Sequence, residues 1–227
     1  MYSRLSYISD LLSSDRASPL GPSPNLLPVH YHLSELETFR NETLAQAKRH
    51  GDSTSKATLE QYFVRLGSTI AEFEAHYFHL ASQLLELARK GNASVAVKIA
   101  KIAEVEGARD QKAIAIRMVK KSGNVDVAAR FRSLQADART IKHYRSKVMD
   151  AIRESCKVAV ERSFQKYGED IVAWLDGIDW LYDDLQVVVE QLAPCFPSDW
   201  NVRPSHSLLT RMLTLSRTDP HDLVRRS

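Results

Sequence analysis

Glu72, His76 and His79 recur at spacings of 4 and 3, which on a helix places all three on one face. A carboxylate and two imidazoles so arranged could ligate a metal ion. Helical-bundle metal sites complete that set with further carboxylate and histidine ligands from facing helices, and no second set accompanies this one. The trio therefore reads as a solvated stripe beside an apolar seam. His30 and His32 are two residues apart and point to different sides of a helix, so they do not chelate together. Cys156 and Cys195 are distant in sequence; they make neither a zinc spacing nor a disulfide framework and suit a reducing compartment. Gly-rich phosphate loops and the HExxH, GxSxG and CxxC patterns are missing from the 227 residues, so the chain is expected to be no enzyme and to carry no cofactor or metal.

Charge offers a second kind of chemistry. The formal net charge is only +3, but Lys98 to Lys166 holds 17 Lys and Arg against 8 Asp and Glu. Tyr167 to Val202 holds 8 Asp and Glu and no Lys or Arg. Within the basic stretch, Arg130, Arg132, Arg139, Lys142, Arg145, Lys147 and Arg153 could meet the phosphates of nucleic acid or of an anionic membrane surface. Aromatic interleaving is thin, with Phe131 and Tyr144 alone, which argues against single-strand binding. The pI of about 8.8 is low for a dedicated nucleic-acid domain. Pairing with acidic protein partners, or a plain solvated face, is the expectation. A basic segment running straight into an acidic one also suits mutual attraction.

These groups need elements to position them. No proline occurs between Val29 and Ala193; proline breaks helices, so the span favours long ones. A short amphipathic start, 2–13, precedes a Ser/Pro/Gly linker, 14–25. Helical segments are then expected over 28–49, 54–90, 93–121, 125–167 and 169–193, with stops at Gly51, Gly91, Gly123, Gly168 and Pro194. Glycine tolerates the left-handed conformation that follows a helix, and Asp52, Asn92 and Asn124 are placed to cap the next helix. The domain division expected is a short N-terminal helix with linker over 1–24, a helical region over 25–200, and a divergent tail over 201–227.

Phe63, Leu66, Ile70, Phe73, Tyr77, Leu80, Leu84 and Leu87 alternate at spacings of 3 and 4, the pattern of a coiled-coil seam. Trp174, Ile178, Leu181 and Leu185 repeat the theme in the acidic stretch. Both seams are expected to be covered by further helices, because an isolated amphipathic helix gains nothing from an uncovered stripe; they are the candidate partner-binding residues, and whether the covering helices belong to this chain or to a partner stays open. The segment 93–121 is apolar on more than one side: Val95, Ile99 and Ile102 oppose Val97, Val105 and Ala108. A helix of that kind is usually sandwiched. Gly107 interrupts it, most simply for close backbone packing. The 125–167 segment would extend ~63 Å as one helix, longer than a compact domain of this size. The fold class expected is therefore all-α, an elongated antiparallel bundle or coiled-coil rod.

No apolar run reaches the ~18 residues needed to cross a bilayer, and no signal-peptide pattern opens the chain. A soluble, cytoplasmic protein is expected.

Several strings carry a resemblance. Residues 25–49, NLLPVHYHLSELETFRNETLAQAKR, 97–121, VKIAKIAEVEGARDQKAIAIRMVKK, 133–148, SLQADARTIKHYRSKV, and 174–200, WLDGIDWLYDDLQVVVEQLAPCFPSDW, resemble the exocyst complex component 3 family, the Sec-six subunit of the exocyst. The similarity runs from about Ser3 to Val202. It implies a helical-rod subunit of a tethering complex that holds secretory vesicles at the plasma membrane during exocytosis. The partners it implies are other exocyst subunits and SNARE proteins. It implies no catalytic residue. The resemblance ends before the string RPSHSLLTRMLTLSRTDPHDLVRRS, and the family's long N-terminal core helix and C-terminal bundles are not seen. The rival reading is a BAR-like dimer that lays its basic face on a membrane.

Overall fold

The structure, a computed structural model, describes residues 2–50, 53–121, 139–167, 172–173, 177 and 179–202. Every regular element among them is helical: α1 Tyr2–Arg16, α2 Leu26–His50, α3 Ser53–Tyr62, α4 Val64–Ser82, α5 Leu84–Arg89, α6 Ser94–Lys121, α7 Tyr144–Tyr167 and α8 Asp179–Val187. A π turn, Val188–Leu192, and two 3-10 turns, Ala193–Cys195 and Ser198–Trp200, follow α8. The all-α class holds. No described helix is long and apolar enough to cross a membrane.

The first helix is longer than the 2–13 expected, and it is no appendage. Leu5, Ile8 and Leu12 are buried in the same core as Leu66, Phe73 and Tyr77, so α1 packs on α2 and α4. Asp15 accepts from the backbone N and side-chain amide of Asn25, which ties the linker back onto the helix end. The boundaries of α2 and α6 match the expected 28–49 and 93–121 within the usual margin.

The expected 54–90 helix is three helices. Phe63 and Gln83 leave helical geometry, at φ −92°, ψ 0° and φ −111°, ψ 13°. Neither break carries a glycine or proline. Each piece instead follows different neighbours: α3 lies on α2, α4 on α7 and α2, and α5 on α6, α8 and the π turn. Past α5 the backbone closes as expected at Gly91, with φ +79°. Asn92 N–H donates to Leu87 O and Gly91 N–H to Ala88 O, both at 2.8 Å, the paired bonds of a Schellman ending. The Asn92 side chain, however, donates to Leu20 O at 2.8 Å rather than capping α6. Asp52 and Asn124 lie outside the described residues.

The expected single helix over 125–167 is not formed. Residues 139–143 are irregular and α7 begins at Tyr144; positions 125–138 lie outside the described residues. His143 takes φ +52°, and the N–H groups of Lys142 and His143 both donate to Asp110 Oδ2, at 3.0 and 2.9 Å. A carboxylate of α6 thus satisfies two backbone donors that a continuous helix would have used itself. The length argument for a rod goes with that helix: the longest described element, α6, has 28 residues, ~42 Å. The expected 169–193 helix is likewise divided, into α8, the π turn and a 3-10 turn around Pro194.

Candidate functional site

The seam predicted over Phe63–Leu87 forms the centre of the core. Phe63, Leu66, Phe73, Tyr77, Leu80, Leu84 and Leu87 are buried, and Ile70 is partly so. Helices α7, α2, α1 and α6 of the same chain lie against α4. Partner helices are therefore not needed to account for its burial. Tyr77 stacks on Phe73 at 6.0 Å and packs on Tyr144 at 5.1 Å, while its hydroxyl donates to Ile99 O at 2.8 Å. Burial, with Glu106 nearby, pushes the Tyr77 phenol far above its usual range. In the acidic stretch Leu181 and Leu185 are half-buried; Trp174 and Ile178 lie outside the described residues.

The metal trio does not behave as a solvated face. Glu72 and His79 are exposed, but His76 is buried, and its Nε2 has no hydrogen-bond partner. Arg16 reaches across from α1 and donates to Glu72 O at 2.7 Å, one turn before His76. Desolvation, with help from the Arg16 charge and His79, lowers the His76 pKa to about 4, so the imidazole is neutral in the fold. Among the described residues no group of His, Cys, Asp and Glu is set to hold a metal.

Charge chemistry is concentrated inside the protein. Glu106, midway along α6, is fully buried. It accepts from Arg139 Nη2 at 2.6 Å and Arg109 Nη1 at 3.2 Å, with Lys142 Nζ 3.7 Å away. His30 Nε2 lies 3.0 Å from Glu106 Oε1; since Glu106 is a carboxylate, His30 donates. Arg139 also donates to Asp110 Oδ1 from Nε and Nη2, at 3.2 and 2.9 Å. Lys142 Nζ sits 3.0 Å from Glu37 and 3.5 Å from Glu74, and the Tyr144 hydroxyl donates to Glu74 at 2.8 Å. Burial alone would raise the Glu106 pKa. The His30 hydrogen bond, Lys142 and Arg139 outweigh it and hold Glu106 far below the carboxylate range. The same balance keeps the Arg139 guanidinium charged, its cost of burial offset by Glu106, Asp110 and Glu37.

This cluster joins α2, α4, α6 and the 139–143 segment into one network. It cannot serve as an acid–base pair, because Glu106 is sealed from solvent and held ionised by its cations. Sequence reading missed it. Arg139 and Lys142 were expected on an open basic face, and they are instead 9% and 13% exposed at the side chain. Arg145 is paired with Asp199 at 2.6 Å and lies over Trp200; Arg153 pairs with Asp150. Lys147 lies over Phe78. Arg130 and Arg132 lie outside the described residues. A signal was available: Glu106 is seven residues from both Ile99 and Ala113, so a charge sits in phase with the buried stripe of α6.

Two clefts open among the described residues, the first of them against Asp110 of the cluster. One, of about 790 Å³, lies between α6 and α7 and is bounded by Glu104, Gly107, Arg145 and Trp200. The expectation of close packing at Gly107 fails, since an added Cβ there would meet no atom within 4 Å. The other, of about 1180 Å³, runs between α4–α5 and α7–α8 and is mainly apolar, with Leu84, Leu85, Ile152, Leu185 and Val188 in its walls.

The described body is all-helical, and its most buried charges form one network across α2, α4 and α6. A family profile described as exocyst complex component Sec6 matches residues 63–204, more than half of the chain, and the chain belongs to that family. It is 30% identical to exocyst complex component sec6 of Schizosaccharomyces pombe, across 86% of this chain and 26% of that protein. It is 23% identical to exocyst complex component SEC6 of Saccharomyces cerevisiae, across 88% of this chain and 30% of the other. Exocyst complex component 3 of Caenorhabditis elegans is 26% identical across 78% and 22%. The chain thus spans between a fifth and a third of the length of these relatives. No solved structure matches it.

Proposed function

We propose that the chain is a non-enzymatic scaffold segment of an exocyst subunit, acting by helix-to-helix contact in the tethering of secretory vesicles at the plasma membrane. The family match over residues 63–204 carries this reading. It is supported by a fold that uses its charged groups for internal cohesion and leaves helix faces outward. The Phe63–Leu87 seam enters as the core that keeps those faces in place. The Trp174–Leu185 seam, with Leu181 half-buried and Leu185 in a wall of the apolar cleft, is proposed for partner contact. Other exocyst subunits are the proposed partners. SNARE contact and a peripheral cytoplasmic location follow only as properties of the whole assembly.

The test is co-precipitation. A version extended to full family length should retain the other exocyst subunits; loss of all of them would overturn the reading. The rival membrane-dimer reading drew on a basic face, of which Arg139 and Lys142 are buried in the charge network and Arg145 and Arg153 are paired with Asp199 and Asp150. Sedimentation with anionic vesicles at physiological salt would revive it.

A further inference from the structure

The cleft of about 1180 Å³ between α4–α5 and α7–α8 is mainly apolar, with Leu84, Leu85, Ile152, Leu185 and Val188 in its walls. Two polar atoms of its lining residues are buried with no hydrogen-bond partner among the described residues: Gln83 Oε1, an acceptor, and Trp180 Nε1, a donor. Buried polar groups are seldom left unpaired, so each marks a place where a polar group of an occupant belongs. Val202, the last described residue, lines the same cleft. The stretch from Arg203 to Ser227 therefore leaves from the cleft itself.

We propose that this cleft receives the chain's own C-terminal segment, residues 205–217, as an amphipathic helix. The spacing of the segment carries the fit. On a helix, Leu208, Leu209, Met212, Leu213 and Leu215 fall within an arc of about 160°. Ser205 and Ser216, at the two ends, are the only polar residues in that arc. A serine hydroxyl both donates and accepts, as Gln83 and Trp180 require. His206, Ser207, Thr210, Arg211, Thr214 and Arg217 take the opposite side. Pro220 stops the pattern, because the residue before a proline is disfavoured in helical geometry. Leu208 to Leu215 would extend ~10 Å, within the ~16 Å of α7 from Ala151 to Arg162 along the cleft. Charge points the same way. Tyr167 to Val202 holds 8 Asp and Glu with no Lys or Arg, while Arg203 to Ser227 holds five Arg against two Asp. The exposed carboxylates of Glu86 and Glu154 stand at the cleft, so the segment meets a field of opposite sign. A helix this short is marginal alone in water. Its attachment at Val202 gives it an effective concentration on the order of millimolar, against which a second copy or a partner must compete. The inference does not depend on the exocyst reading. A partner that uses the Leu185 wall has to displace the segment, which makes the segment a gate on that contact.

The experiment places a small diazirine residue at Met212 of the 227-residue chain and maps the photo-cross-links of the purified protein. The expected products are intramolecular and join position 212 to residues 81–89, 151–158 or 185–192. Leu208→Glu with Leu215→Glu should cut their yield at least tenfold. Both changes lie in the segment itself, so the helices that form the cleft keep their own sequence. Cross-links spread over other surfaces, a product joining two copies whose yield rises with protein concentration, or a yield indifferent to the two glutamates would each overturn the proposal. In co-expression with the other exocyst subunits, a cross-link from position 212 to one of them in place of the cleft would overturn it as well.

Discussion

Arg139 Nη2 lies 2.6 Å from Glu106 Oε2, in a setting where the two side chains are 9% and 1% exposed. A buried pair at this distance is costly to assemble and more costly to break, because removing one partner strands the other charge without water.

Arg139→Met is therefore expected to destabilise the chain by about 3–5 kcal/mol, read from a shift in the denaturant midpoint at constant slope. Glu106→Leu should cost a similar amount. The double variant should recover part of the loss, with a coupling of about 1–3 kcal/mol; recovery stays partial because Asp110 keeps its charge and loses Arg139. Strict additivity would show that the pair is not coupled.

Acid should act first through His76. Its folded pKa of about 4 lies below the usual 6.5, so the unfolded chain takes up the proton first. The stabilisation is complete above pH 6.5, declines as the pH falls, and is gone near 4. The whole effect is at most about 3 kcal/mol. Glu106, also lowered, keeps its full stabilisation above its unfolded value of 4.5 and begins to lose it only as the pH falls below that. Stability of the wild type and His76→Gln should thus converge between pH 7 and 5; parallel curves would contradict the assignment.

Glycines separate local geometry from packing. Gly91 holds φ +79°, so Gly91→Ala should cost about 1 kcal/mol. Gly67 and Gly107 are helical and an added Cβ at either meets no atom within 4 Å. Alanine at each should stabilise by about 0.5–1 kcal/mol, seen as a higher melting temperature.

Tyr77→Phe removes the bond to Ile99 O and leaves the ring stacks with Phe73 and Tyr144 in place. The expected loss is about 1 kcal/mol, against about 3–5 for a truncation such as Phe73→Ala, which opens a core cavity. Equal losses would mean that the hydroxyl, not the ring, organises this part of the core.

The amino-acid order by itself determined what depends on short range and on repetition. Periodic apolar residues in α4 and α6, proline-free continuity and the Gly91 ending are local, and each was readable from spacing. The family was readable too, because ordered helical strings of this chain resemble those of its relatives. The breaks at Phe63 and Gln83, the start of α7 at Tyr144 and the inward turn of Arg139 and Lys142 were decided only in three dimensions. Nothing in their immediate neighbours demands them. The breaks at Phe63 and Gln83 let each piece follow different neighbours, and the turn at 139–143 forms because Asp110 and Glu106, some thirty residues upstream, offer buried carboxylates to Arg139, Lys142 and His143. For a charge in a low-dielectric interior, the partner across the fold outweighs the neighbour along the chain.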